Sequence, residues 1–187
     1  MQFTIRPARS HDAPAVMDIV FKRSDWLESR GLPSWRQDAG LVSELTANPD
    51  GSMWILEADG RPAGCTTLTD STPPMAWTPA ELAEPSLYLY TTITDPAISR
   101  WKPGSLIALW AVDRAFREGA AWVRRGCRFD GLVAYYERQG FTVIHTMRKT
   151  HGPMYLMGRR AEPIEDLPDR FVGSVFTGRP LRRDGDG

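Results

Sequence analysis

The spacing of apolar residues predicts two series of strands and helices along this chain. The order of these elements constrains the fold more than any single motif does. Up to residue 68 the patterns read as strand, helix, helix and hairpin, whereas from residue 86 strands and helices alternate. An opening hairpin followed by alternating strands and helices predicts an α+β protein with a mixed sheet. The predicted segments of the first half are a strand at Phe3–Ala8, a helix capped by Ser10 and running to about Glu28, a helix at Asp38–Ala47, and strands Met53–Ala58 and Arg61–Leu68 around the turn Asp59-Gly60.

The second half supplies four more predicted strands and two helices. The strands are Ser86–Thr94, Trp122–Cys127, Phe141–Met147 and Met154–Gly158, and the helices are Gly104–Glu118 and Leu132–Gln139. Residues 70–86 hold four prolines and are predicted as a surface loop with at most one helical turn, at Pro79–Ala83. This loop is either an exposed connector or a substrate lid in which Met75 and Trp77 make apolar contacts.

The length of 187 residues suits one domain with its own core. We expect residues 1–160 to form that domain and residues 161–187 to be a C-terminal extension, partly docked or disordered. The extreme end, rich in Gly, Asp and Arg, is predicted to be disordered. Phe171 and Phe176 are too apolar for a solvated tail, which favours docking on the domain or on a partner.

Composition excludes several classes of function. The 23 basic and 23 acidic side chains cancel, so no overall charge draws the protein to nucleic acid or to an anionic membrane. The N-terminus lacks the apolar region of a signal peptide, and no segment has enough consecutive apolar residues to span a membrane. These features predict a cytoplasmic protein. Cys65 and Cys127 suit buried, reduced thiols, and with three scattered histidines they predict no metal site.

The segment from Thr91 to Ser105 joins a predicted strand to a predicted helix. The first N–H groups of a helix lack partners and carry a partial positive charge, so a loop that delivers such a helix start can hold a diphosphate. The segment contains neither the Gly-x-x-x-x-Gly-Lys-Ser/Thr pattern nor Gly-x-Gly-x-x-Gly, which excludes the two common nucleotide loops. The alternative interpretation of this segment is an ordinary start of a helix with two solvent-exposed basic residues and no ligand.

Residues 135–141, Tyr-Tyr-Glu-Arg-Gln-Gly-Phe, resemble the helix end that closes the cofactor half of the GNAT acyltransferases. Residues 99–104 resemble in part that family's pyrophosphate turn, Arg/Gln-x-x-Gly-x-Gly/Ala. Gly104 aligns with the last position of this pattern, and Lys102 aligns with its middle glycine. Ser99 aligns with the initial Arg/Gln, and Arg100 is one residue later. Pro103 removes one N–H from the turn. The likeness covers residues 3–159 and implies a mostly antiparallel central sheet flanked by helices.

The resemblance also implies an activity, a co-substrate and site residues. The family moves the acetyl group of acetyl-CoA to a primary amine by direct transfer, and a tyrosine at the position of Tyr136 usually protonates the leaving thiolate. The residues implied in binding acetyl-CoA are Thr92, Ile93, Thr94, Arg100, Trp101, Lys102, Gly104 and Ser105. An N–H of the strand at Thr92–Thr94 would stabilise the oxyanion.

The acceptor side is less defined by the sequence. Trp26 and Trp35 resemble part of the family's substrate-side helix and loop, and with Trp77 they are candidates for an aromatic acceptor pocket, although tryptophan is commonly a core residue. No carboxylate lies within Leu87–Thr94, so Glu57, Asp70, His145 and water remain alternative proton acceptors. A small-molecule amine is the favoured acceptor, and a homodimer is left open. The alternative function is a catalytically weak GNAT-like domain that binds acyl-CoA or a protein partner.

Overall fold

Strands of the described residues form one seven-stranded sheet, and with the flanking helices they confirm the α+β architecture. The computed structural model describes residues 1–150, 152–167 and 171. The strands are β1 (Phe3–Pro7), β2 (Met53–Ala58), β3 (Arg61–Thr69), β4 (Ser86–Thr94), β5 (Trp122–Cys127), β6 (Thr142–Lys149) and β7 (Gly152–Arg160). The α-helices are α1 (Ala13–Glu28), α2 (Ala39–Ala47), α3 (Pro79–Ala83), α4 (Pro103–Arg117) and α5 (Asp130–Glu137).

The order of strands across the sheet is β1-β2-β3-β4-β5-β7-β6. The pairs β1/β2, β2/β3, β5/β7 and β6/β7 are antiparallel, and β4/β5 is parallel. The sheet is therefore mixed and mostly antiparallel, as the resemblance implied. None of the described helices is long and apolar enough to cross a membrane.

The described residues divide into two compact units. The first contains residues 1–68, 90–107, 166, 167 and 171, and the second contains residues 69–89, 108–150 and 152–165. In the first unit, helices α1 and α2 cover one face of the strands because their apolar residues recur at helical spacing. Its core consists of Ala8, Val16, Ile19, Val20, Ala39, Val42, Met53, Ile55, Cys65 and Ile93.

The second unit has buried side chains on α4, α5, β5 and β7 and in the segment that follows α5. Among them are Trp110, Ala111, Val123, Cys127, Tyr136, Phe141, Leu156 and Met157. Both cysteines are buried free thiols, one in each unit, and burial raises the pKa of Cys65 to about 12. Neither cysteine is therefore a reactive thiolate near neutral pH.

The predicted capping of the first helix by Ser10 is wrong. Residues Ser10–Asp12 form a short 3₁₀ turn, and α1 begins at Ala13. The cause is Asp12, whose carboxylate accepts a bond from the Arg9 N–H at 2.7 Å and two from the Arg6 guanidinium at 2.8 Å. This contact with β1 fixes the turn before the helix.

The loop predicted at residues 70–86 contains the expected helical turn, α3. Thr78 caps it, since the Thr78 hydroxyl accepts a bond from the Glu81 N–H while the Glu81 carboxylate accepts one from the Thr78 N–H. Trp77 is buried, which contradicts a fully exposed connector at that residue.

Beyond the predicted domain boundary, Phe171 is the one described residue after Leu167. Its side chain is 4% exposed, and its backbone forms a parallel bridge with Phe3 of β1. Phe176 and the chain end lie outside the described residues. The division into residues 1–160 and 161–187 stays a prediction.

Candidate active site

Strand β4 is distorted in its middle. Thr91 has a φ of 50°, a left-handed conformation that a β-branched residue rarely adopts. The parallel pairing of β4 with β5 covers only Ser86–Tyr88 on β4. Backbone groups after Tyr88 are therefore not used in the described ladder with β5.

Hydrogen bonds decide which amides of β4 face β3. The Asp95 N–H donates to Ala63 O at 2.9 Å, and the Ile93 backbone contacts the Cys65 thiol, both on β3. Because successive residues of a strand face opposite edges, the amides of Thr92 and Thr94 face the other edge. Of the three strand residues predicted to contact acetyl-CoA, Ile93 is thus turned toward β3, with its side chain in the core.

The side chains of Thr92 and Thr94 are already engaged. The Thr92 hydroxyl lies 2.9 Å from the Thr66 hydroxyl. Arg23 of α1 donates to the Thr94 carbonyl at 2.8 Å and to the Thr94 hydroxyl at 2.7 Å. These contacts hold the strand in place, and the N–H groups remain the parts of Thr92 and Thr94 available to a ligand.

The backbone is left-handed at the residue before α4. Lys102 has a φ of 52° and a ψ of 51°, which is left-handed, and α4 begins at the next residue, Pro103. Lys102 stands where the GNAT turn has its middle glycine, the residue type that adopts this conformation at least cost. Lys102 therefore adopts this conformation at a cost that glycine would avoid.

Few amides remain to bind an anion at this turn. The Lys102 N–H donates to Ser99 O at 3.0 Å, Pro103 has no N–H, and the Ser105 N–H donates to Lys102 O at 2.9 Å. Within the described residues the Gly104 N–H has no acceptor, so it is the one backbone donor left. The predicted binding side chains Arg100, Trp101 and Lys102 are exposed, with the Arg100 guanidinium 5.2 Å from the Trp101 ring centre.

The end of α5 explains why Tyr136 and Gly140-Phe141 occur together. The Phe141 N–H donates to Tyr136 O at 3.2 Å and the Gly140 N–H to Glu137 O at 2.9 Å, the bond pair of a Schellman motif. Gly140 has a φ of 77°, as the motif requires. The rings of Tyr136 and Phe141 meet edge to face with centres 5.3 Å apart, the apolar contact that accompanies the motif.

The Tyr136 side chain is only 2% exposed. Its ring also meets that of Tyr135 edge to face at 5.3 Å, and Tyr135 is partly exposed. Tyr136 is therefore held rigidly by neighbours on several sides, which suits a positioned proton donor and a core tyrosine alike.

The structure does not bring the three predicted acceptor-side tryptophans into one unit. Trp26 and Trp35 belong to the first unit, while Trp77 belongs to the second. Trp26 is partly buried, with the Arg30 guanidinium 3.8 Å and the Arg23 guanidinium 5.0 Å from its ring centre. Trp35 packs on the first core, and Trp77 is buried with an indole N–H that has no acceptor among the described residues.

The three candidate proton acceptors differ in their surroundings. Both Glu57 oxygens are occupied, one by Thr4 and one by Arg6, each at 2.8 Å. Asp70 is exposed. The Nε2 atom of His145 lies 2.9 Å from both oxygens of Glu81, and the imidazole meets the Trp77 ring edge to face at 5.6 Å. His145 is thus the candidate whose ring is oriented by a carboxylate.

Comparison with solved structures identifies the fold. A GNAT-family acetyltransferase from Listeria monocytogenes 4b F2365 is similar with a TM-score of 0.67 and 18% identity, over 84% of this chain and 94% of that one. PaiA N-acetyltransferase from Thermoplasma acidophilum, solved in complex with coenzyme A, has a TM-score of 0.62 and 15% identity, over 86% of this chain and 99% of that one. The chain has the GNAT fold.

The E. coli ribosomal-protein-S18-alanine N-acetyltransferase shares the GNAT fold with a TM-score of 0.61 and 16% identity, over 87% of this chain and 96% of that one. No family model matches the sequence, and no curated protein matches it. The similarity is therefore one of fold.

Sequence reasoning missed the partner of His145. Glu81 lies 64 positions away in the chain, in a segment predicted only as a loop. The spacing Thr78-x-x-Glu81 is that of a capping box and could have marked Glu81 as an ordered carboxylate. Nothing in the sequence indicates that it faces β6. No group of three metal-binding side chains occurs within the described part of the chain.

Proposed function

We propose that this chain is an N-acetyltransferase that moves the acetyl group of acetyl-CoA directly to a primary amine. The observation that carries the proposal is the turn at Lys102, whose left-handed backbone leads directly into α4. The left-handed residue ends the 3₁₀ turn Pro96–Trp101, and the next residue begins α4, so the turn would present the start of α4 to a diphosphate.

The Gly104 N–H, the Lys102 ammonium and the Arg100 guanidinium would bind the diphosphate of acetyl-CoA, with Trp101 and Ser105 at its border. Two cationic side chains would then replace the amides that the turn has lost to Pro103 and to internal bonds. On β4, the Thr92 and Thr94 amides would bind the pantetheine or the acetyl carbonyl. Ile93 contributes packing and not a donor.

Tyr136 would supply the proton of the leaving group. The amine nitrogen attacks the thioester carbonyl, the C–S bond breaks as the C–N bond forms, and the thiolate takes the phenolic proton. Tyr136 then regains a proton from solvent, and the amine nitrogen loses one to a base. No covalent enzyme intermediate is needed.

His145 is our choice for that base, ahead of Glu57, Asp70 and water. A carboxylate on Nε2 fixes the ring orientation, and Nδ1 forms no hydrogen bond among the described residues. The Thr78 N–H and His145 together hold the pKa of Glu81 at about 2, so Glu81 is a carboxylate throughout the working range. His145→Gln should lower kcat/KM by roughly 10²–10⁴, and an unchanged kcat/KM would return the role to water.

A small-molecule amine in a cytoplasmic setting remains our proposal for the acceptor, with Trp26, Trp35 and Trp77 as aromatic contacts and a homodimer as one assembly. The names of GNAT-fold neighbours include both a ribosomal-protein and an aminoglycoside acetyltransferase, so fold alone does not choose between protein and small molecule. A panel of small amines against peptides with free N-termini would decide it, and light scattering would give the assembly.

Binding of acetyl-CoA tests the proposal first. Acetyl-CoA at about a hundred times its Kd should raise the free energy of unfolding by ~2.7 kcal/mol through mass action. Gly104→Asp should abolish this shift because a carboxylate would repel the diphosphate. Gly131→Asp is the matched control, since it places the same carboxylate at the start of α5 where nothing lies within 4 Å. No calorimetric heat and no shift with saturating acetyl-CoA would contradict the proposal.

Tyr136→Phe tests the chemical step. The variant keeps the ring and its contact with Phe141, so the free energy of unfolding should fall by only ~0.5–1.5 kcal/mol. Loss of the proton donor should lower kcat by roughly 10²–10⁴ with the affinity for acetyl-CoA unchanged. Release of the CoA thiol measures kcat and calorimetry measures the affinity, and undiminished kcat would remove Tyr136 from the mechanism.

A catalytically weak domain that binds acyl-CoA is the second candidate. The single remaining amide at Gly104 and the burial of Tyr136 favour it. It predicts the same acetyl-CoA stabilisation with no thiol release for any amine, so the two assays together separate the candidates.

A further inference from the structure

A buried arginine lies against the ring of Tyr136. Arg125 of β5 is 5% exposed, and its guanidinium carbon is 3.5 Å from the centre of the Tyr136 ring. Both residues belong to the second unit. At this distance the cation rests on the negative face of the ring.

The remaining contacts of Arg125 leave its charge without an anion. Its Nε donates to the Cys127 thiol at 3.3 Å, and burial raises the pKa of that thiol, which is therefore neutral. One terminal nitrogen, Nη1, has no hydrogen-bond partner, and no ion pair within the described residues includes Arg125. A buried cation without a carboxylate is costly to keep.

We propose that Arg125 is a positioning residue that stabilises the phenolate of Tyr136. Its catalytic meaning rests on the proposed function: when the phenolic proton passes to the CoA thiolate, Tyr136 is left with a negative charge beside a cation that is already in place. The proton is then returned from solvent, so Arg125 itself neither gains nor loses one. The cation that is unpaired in the resting protein thus gains its counter-charge during the reaction.

The neighbouring arginine shows that burial alone does not give this arrangement. Arg124 is 1% exposed and also lies on a ring, with its guanidinium carbon 4.7 Å from the centre of Trp77. Arg124 has a carboxylate, Glu84, at 3.3 Å, and an indole cannot become an anion in place of a phenol. Successive strand residues face opposite sides, so Arg124 and Arg125 form a matched pair for experiment.

The test measures the ionisation of Tyr136 directly and does not need turnover. Tyrosine labelled with ¹³C at Cζ gives one signal for each of the five tyrosines, and Tyr136→Phe identifies the signal of Tyr136. Arg125→Gln should move the ionisation midpoint upward by roughly one pH unit, the scale of one buried cation–ring contact. Arg124→Gln should leave it unchanged. A folded Arg125→Gln variant with the wild-type midpoint would overturn the proposal.

Two further measurements cover other outcomes. If Arg125→Gln does not fold, the wild-type protein decides: burial alone puts the midpoint above the ordinary value of about 10, so a midpoint at or below 10 supports the proposal and a higher one refutes it.

In an active enzyme, Arg125→Gln should lower kcat several-fold in the wild type and have no further effect in the Tyr136→Phe background. A full additional loss in that background would show that Arg125 does not act through Tyr136. If the protein transfers no acetyl group at all, the proposed function is wrong, but the effect of Arg125→Gln on the ionisation midpoint of Tyr136 still tests the contact between the two residues.

Discussion

The Schellman end of α5 makes Gly140→Ala an informative substitution. Gly140 has a φ of 77°, and a Cβ there would lie 3.2 Å from Arg159 Nε and 3.3 Å from its Cζ. A non-glycine residue in this conformation costs ~1–2 kcal/mol. Loss of glycine flexibility in the unfolded chain returns ~0.4–1 kcal/mol of that. We therefore expect a net loss of about 1 kcal/mol.

The loss should be larger if the new methyl group displaces Arg159. The Arg159 guanidinium donates to Gln139 O at 2.5 Å and so closes the end of the helix that carries Tyr136. Breaking this bond would add ~1 kcal/mol and would also loosen the Tyr136 ring. Activity should then fall together with stability, whereas Tyr136→Phe lowers activity with little change in stability.

Urea unfolding followed by fluorescence measures the effect, with Gly131→Ala as the control on the same helix. Gly131 has nothing within 4 Å of a new Cβ and no positive φ, so alanine should stabilise the protein by ~0.5–1 kcal/mol. The two substitutions should thus move the midpoint in opposite directions. A Gly140→Ala variant as stable as Gly131→Ala would refute the assignment of the left-handed cap.

Three other substitutions have defined outcomes. Asp12→Asn should cost ~1–3 kcal/mol at neutral pH by removing one of the two carboxylates that Arg6 contacts. Because the Arg6 guanidinium lowers the pKa of Asp12 below 3.8 in the folded state, this stabilisation is present above about 3.8 and is lost as the pH falls through the folded value, which acid unfolding of both proteins would show. Lys102→Gly should not lower thermal stability, since glycine accepts a φ of 52°, but it should weaken acetyl-CoA binding about tenfold in calorimetry by removing a charged donor. Phe171→Ala should cost ~3 kcal/mol in urea unfolding, while removal of residues 178–187 should cost nothing; a midpoint unmoved by Phe171→Ala would contradict its burial against the domain.

The fold could be predicted because its elements depend on local patterns. Strand and helix positions follow from residue periodicity, and their limits agree with the structure within about two residues except at the first helix. That start could not be predicted, because the contact between Arg6 and Asp12 ties the turn to β1. Local preference for a Ser10 cap was overridden by tertiary structure.

The candidate site could be predicted only in part. The sequence indicates Tyr136 and Gly140 through a spacing that the Schellman motif explains. It places Lys102 on a glycine position without showing that the backbone stays left-handed. Contacts such as those of Arg125 with Tyr136 and of Glu81 with His145 join distant elements, so no local pattern reveals them.

The strained residues of the described chain give a physical reason to regard the β4–α4 segment as a binding surface. Three residues other than glycine have a positive φ, namely Asp59, Thr91 and Lys102, and Asp59 is explained by its hairpin turn. The other two each cost of order 1–3 kcal/mol, and they lie next to and within the segment Thr92–Ser105 that is proposed to bind acetyl-CoA. Arg23 donates to the Thr94 carbonyl, and the Lys102 N–H donates to Ser99 O, so fixed contacts hold this segment at Thr94 and at Lys102. Lys102 is also the left-handed cap of the 3₁₀ turn Pro96–Trp101, so the strain at Thr91 is the stronger argument for a backbone already shaped for a co-substrate.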